Sequence, residues 1–177
     1  MPEESSEWME ALLRPSKVVS IGALAIGSWL LLLTTVNIAI GAYSEDKKVM
    51  WIDFLTNGSN TSVDWEFGIV VDDIIFAVIG FTLVAAGYLM LVRATDDGVI
   101  PWIKGLGNSP LFTSLISSDG GLTRTLASWS VLIGLSFYIS WSSMNNTWVD
   151  PGVYSIMIGM VSVGFALHVL QDSESTH

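Results

Sequence analysis

The chain has no cysteine among its 177 residues. Disulfide bridges, thiolate-metal sites and cysteine nucleophiles are thereby excluded. Basic residues are scarce as well: seven Lys and Arg stand against 17 Asp and Glu, a formal net charge of −10. With so few cations to meet phosphates, no nucleic-acid partner is expected. Charged residues of both signs make up 14% of the chain while 51% is hydrophobic, too little charge to clothe a water-soluble surface. There are two histidines, His168 and His177, and they are too far apart in role to serve one site: His168 belongs to an apolar run and His177 to the tail. A buried haem held by two histidines therefore lacks a second ligand in one chain. No metal-ligand spacing, phosphate loop or nucleophile elbow is present, so no catalytic residue, metal or cofactor is expected.

What the chain does have is long apolar runs. In lipid, backbone N–H and C=O groups find no water and must be satisfied within the segment, which leaves helices or closed barrels. Unbroken apolar runs, as opposed to period-two alternation, select helices. Four spans are read, at about 18–42, 74–92, 126–143 and 153–170. The fold expected is an all-α integral membrane protein, a four-transmembrane-helix bundle over 17–171. It is preceded by an interfacial helix within 1–16, where Trp8, Met9, Leu12 and Leu13 recur at near-helical spacing before Pro15. A short mobile tail over 172–177 is expected to follow. The opening acids Glu3, Glu4 and Glu7 are unlike the basic start of a cleaved signal, so the first run reads as a retained span.

Basic residues near span ends orient the spans. Arg14, Lys17, Arg93, Lys104 and Arg124 flank the N-terminal segment and the long middle connection. The first loop holds only Lys47 and Lys48, and the third loop none. The positive-inside tendency then puts both termini in the cytoplasm, with the chain multi-pass in the cell membrane. All three Asn-x-Ser/Thr triplets, at Asn57, Asn60 and Asn145, fall in the two loops assigned outside, and are candidate glycosylation sites. The middle connection, about 94–123, carries Trp102, Ile103, Phe112 and Ile116, enough apolar surface to lie on the membrane. The acidic exterior resembles that of proteins from halophilic archaea, where carboxylates hold hydration at high salt; an acidic interaction surface would read the same.

Within the spans, small and polar residues recur by three and four. The first carries Ser20, Ala23, Gly27, Thr34, Asn37 and Gly41; the second Ala77, Gly80 and Gly87; the fourth Ser155, Gly159, Ser162 and Ala166. Such stripes let helix backbones approach and hydroxyl or amide groups bond across helices, so they are expected to be packing seams, within the bundle or against a partner. A weak internal correspondence accompanies them: Ile79-Gly80 and Ile158-Gly159 each follow a Trp, Trp65 and Trp148, as parallel repeats would. Asp72 and Asp73 adjoin the second span. At an interface they would face the positive end of the helix dipole and cap its N–H groups.

Two functions fit. The first is a non-catalytic accessory, assembly or structural subunit whose partners are the lipid bilayer and other membrane proteins or copies of itself. The alternative is a small oligomeric channel or transporter, with Asp73, Asn37, Thr34 and Ser20 lining an ion or polar path.

Overall fold

The computed structural model describes residues 16–43, 47–56, 62–64, 68–95 and 99–174. The interfacial helix expected within 1–16 therefore lies outside the described residues, apart from Ser16. In chain order the elements are α1 (Lys17–Ile40), β1 (Lys47–Val49), α2 (Trp51–Thr56), β2 (Ser62–Asp64), α3 (Val71–Ala94), α4 (Val99–Leu106), α5 (Pro110–Ile116), α6 (Leu122–Asn145) and α7 (Pro151–Glu174). The protein is helical, and α1, α3, α6 and α7 are long and apolar enough to cross a membrane. Each has 24 residues. At 1.5 Å per residue that is about 36 Å, longer than the roughly 30 Å of a bilayer's hydrocarbon.

The chain divides into two compact units, with the break inside α4. In the first, α1 packs along α3. Without a hydrophobic force between helices in lipid, such a contact is held by close van der Waals fit. Glycine makes that fit here. A Cβ on Gly27 would stand 2.8 Å from the Gly80 carbonyl oxygen, and one on Gly87 would stand 2.8 Å from the Leu24 nitrogen. Ser20, Gly27, Thr34 and Asn37 are buried on the α1 side, and Gly80, Gly87 and Leu91 on the α3 side.

Between α1 and α3 lies a segment more ordered than a polar loop. β1 and β2 form an antiparallel ladder pairing Lys47 with Asp64, Lys48 with Val63 and Val49 with Ser62. Three-residue strands are too short to leave a period-two signature. The Lys48 ammonium donates to the Gly68 carbonyl, fixing the return to α3.

In the second unit α6 packs along α7, and α5 lies against α6. Gly164 lies tight against α6, since a Cβ there would meet the Ala127 carbonyl oxygen at 2.6 Å. The connection is short and well specified. Asn146 takes the left-handed conformation (φ 46°, ψ 44°) and returns its N–H to the Ser142 carbonyl, ending α6. Asp150 then starts α7, its Oδ1 accepting from the Gly152 N–H at 2.7 Å and the Val153 N–H at 3.0 Å. Pro151 follows it at the first helical position, where a missing N–H leaves nothing unpaired.

The sequence boundaries shift at the far end. α7 continues to Glu174, so the expected tail begins as helix. Asp172 is tied to α6 there, accepting from the Arg124 guanidinium at 2.5 Å.

Candidate functional site

The densest polar cluster is a buried knot where α1 and α3 meet the β1–α2 segment. Asn37, near the end of α1, is fully buried. Its Nδ2 donates to the Val49 carbonyl at 3.0 Å and to Asp73 Oδ1 at 2.8 Å. Its Oδ1 accepts from the Val49 N–H at 2.7 Å and the Ala42 N–H at 3.2 Å. A side-chain amide has two donors and room for two acceptor bonds, so all four are used. Asn37 closes the end of α1 and pins the edge of β1 with one side chain.

Asp73, 1% exposed, is held as firmly. Besides Asn37, its Oδ1 accepts from the Trp51 indole N–H at 3.1 Å, and its Oδ2 accepts from the Val70 N–H at 3.2 Å. Three donors and the positive end of α3 gather on one carboxylate, the arrangement that offsets the cost of burying it. Asp72 does different work. Its Oδ2 accepts from the Ile52 N–H at 3.0 Å, so it caps the first turn of α2, not α3. Trp51 completes the knot by stacking on Phe76, with ring centroids 4.8 Å apart.

The second unit has its own cross-links. Tyr138 donates to the Trp148 carbonyl at 2.6 Å and stacks on Tyr154 at 5.2 Å between centroids. Ser130 donates to the Met160 carbonyl at 2.8 Å. Ser128 Oγ and His168 Nε2 share a hydrogen bond of 3.0 Å, both side chains buried. His168 is thus a partner of α6. Neither Tyr138 nor the two serines carried a signal in the sequence, because a serine in an apolar run looks the same whether or not it faces a neighbour.

The stripes read from the sequence divide. Ser20, Gly27, Thr34, Asn37, Gly80 and Gly87 are buried, with Gly41 at the end of α1 also buried and Ala23 and Ala77 half-buried. The hydroxyls do not bridge helices as expected. Ser20 donates to the Ser16 carbonyl at 3.0 Å and Thr34 to the Leu30 carbonyl at 2.8 Å, each within its own helix. On α7 the stripe does not face α6: Ser155, Gly159, Ser162 and Ala166 are exposed, while Val153, Gly164 and His168 are buried. Small residues are present on both faces, and the polar partners on α6 choose between them. For the same reason Gly80 and Gly159 are not equivalent, since Gly80 meets Leu31 and Gly27 whereas nothing lies within 4 Å of a Cβ on Gly159.

Of the three triplets, Asn57 and Asn60 lie outside the described residues. Asn145 is exposed in the last turn of α6 with its Nδ2 donating to the Trp141 carbonyl at 3.0 Å, and Thr147 is buried. Among the described residues no three His, Asp or Glu side chains converge as metal ligands would.

Chemically, the knot can hold geometry and little else. Asn37 has no unused donor, and the oxygens of Asp73 face N–H groups of the chain itself. Comparison with protein-family models, with curated proteins and with solved structures returned no match to this chain.

Proposed function

We propose that this chain is a non-catalytic membrane component, an accessory, assembly or structural subunit of the cell membrane. It works by packing helices against other membrane proteins or copies of itself. Its four long apolar helices cross the membrane with both termini cytoplasmic. One observation carries the reading: Asn37, Asp73, Ser128 and His168 spend their hydrogen bonds within their own hairpins, whereas the small-residue stripe of α7 from Ser155 to Ala166 is left exposed. A stripe that lets helices approach closely, unused within its own hairpin, suits a partner helix.

The path reading has less support, because Asn37 and Asp73 point their hydrogen-bonding atoms at the chain and not at a route. The test is to purify the protein from its native membrane in mild detergent and weigh the particle. A complex is expected, and Gly159→Leu should release the partner while the monomer stays folded. A lone monomer with nothing co-purifying would remove the proposal's basis.

A further inference from the structure

α5 is turned inside out for a helix in water. Ser114 is only 4% exposed, while Ile116, two residues on, is 94% exposed and Phe112, one turn earlier, is 49% exposed. Ser114 Oγ and the Arg124 side chain both lie within 4 Å of where a Cβ on Gly120 would stand, so the serine side faces the start of α6. A helix at a water surface does the opposite, turning its apolar stripe inward and its polar side outward. More apolar surface precedes α5 in the chain. Ile103 and Leu106 are exposed at the end of α4, and an open groove of about 470 Å³ is lined by Gly107, Phe112, Thr113, Leu115, Ile116 and Ser117.

The position of α5 says what covers this face. α5 packs on α6, and residues 117–121, which join them, can reach at most about 20 Å. α6 is about 36 Å long against roughly 30 Å of hydrocarbon, so its first turn, with Arg124, stands at the edge of the acyl chains when the helix crosses a membrane. α5 is held at that same edge. The apolar medium always present at that depth is lipid. Charge agrees with it: Lys104 is exposed in the last turn of α4 beside Ile103, where an ammonium can reach headgroup phosphates while its apolar neighbours enter the leaflet.

We infer that the Phe112–Ile116 face of α5 is immersed in the lipid leaflet and that acyl chains of the surrounding bilayer fill the groove beside it. The middle connection is then an interfacial anchor that fixes the depth of α6, not a loop open to soluble partners. The anchor rests on α6 crossing a membrane and needs no protein partner.

The test uses the full chain in vesicles of phosphatidylcholine and phosphatidylglycerol, with a bimane fluorophore on single cysteines introduced one at a time. The quenchers are a nitroxide on the lipid acyl chain and iodide in the water. Labels on Phe112→Cys and Ile116→Cys should be quenched severalfold more by the nitroxide lipid than by iodide. A label on Ser118→Cys, exposed two residues beyond Ile116, should show the reverse. Ile133→Cys, exposed in the middle of α6, reports on the spanning itself and should be reached by the lipid quencher alone. If one of the two α5 variants does not fold, the other still decides. Lipid quenching at Ile133→Cys beside mainly iodide quenching at Ile116→Cys would overturn the anchor and leave the spanning helix standing. Shielding of both α5 labels from both quenchers would overturn it in favour of a covering protein, a partner or a second copy. Iodide quenching at Ile133→Cys would remove the spanning helix, and the anchor with it.

Discussion

Asn37 shows how one polar side chain can organise the end of an apolar helical hairpin. Four hydrogen bonds leave it to β1, to the end of α1 and to Asp73, and each partner is itself buried. Removing it strands the Val49 N–H and C=O, the Ala42 N–H and one acceptor position on Asp73. A buried group without its partner costs about 1–3 kcal/mol, and several are left at once. Asn37→Leu should therefore lower stability by roughly 3 kcal/mol or more, read as a fall in Tm or in the denaturing-detergent midpoint. Asp73→Asn should be milder. Its oxygen can still accept from Asn37 and Trp51, but an amide nitrogen then opposes the Val70 N–H, and the lost cap costs about 1 kcal/mol. A fall for Asp73→Asn as large as for Asn37→Leu would mean that the carboxylate's charge, not its geometry, dominates the knot.

The residue types involved were visible in the sequence, but their pairing was not. Asn37 and Asp73 stand out as polar residues on or beside apolar runs, Asn37 within a packing stripe and Asp73 as a cap of the second span, with both on the path of the alternative reading. What could not be read is that Val49, Trp51 and Ile52 fold back over them. Those contacts come from a short helix and three-residue strands whose patterns are too brief to register.

At the scale of elements, each hairpin is set by a few glycines. Gly27, Gly80 and Gly87 let the backbones of α1 and α3 come within reach, and Gly164 does the same for α7 against α6. A Cβ at Gly164 would overlap the backbone carbonyl oxygen of Ala127, which cannot rotate away. Gly164→Leu should force α6 and α7 apart at a cost of about 1–3 kcal/mol. Gly159→Leu, on the open face of the same helix, should change the monomer by no more than about 0.5 kcal/mol. Thermal unfolding of the two variants in detergent checks the contrast, and equal losses would show that both faces are packed. The three-four periodicity marks Gly159 as part of a packing seam without saying whether the neighbour is in the same hairpin or a partner. Periodicity finds a face but cannot choose between two faces that both carry small residues. The choice falls to Ser128 and Ser130, whose hydrogen bonds to His168 and the Met160 carbonyl rotate α7 so that Gly164 meets α6.

For the whole molecule, the absence of cysteine makes topology directly testable. Single cysteines can be introduced without a background. Ser5→Cys, Ser118→Cys and Ser175→Cys should react with a membrane-impermeant thiol reagent from the cytoplasmic side, and Ser59→Cys from the opposite side. Labelling of Ser5→Cys and Ser118→Cys from different sides would break the proposed orientation. The four long apolar helices and their approximate limits followed from the sequence alone, because the cost of unpaired backbone groups in hydrocarbon leaves long apolar runs few conformations. That α6 and α7 extend beyond the apolar runs at both ends, and that an α1–β1–α2 knot caps the first hairpin, was decided by tertiary contacts: the Arg124–Asp172 pair, the Asp150 cap and the four bonds of Asn37. Solvent preference is a property of each segment by itself, so composition reveals it. A hydrogen bond between Asn37 and Asp73, 36 positions apart, exists only once two helices have chosen which faces to join.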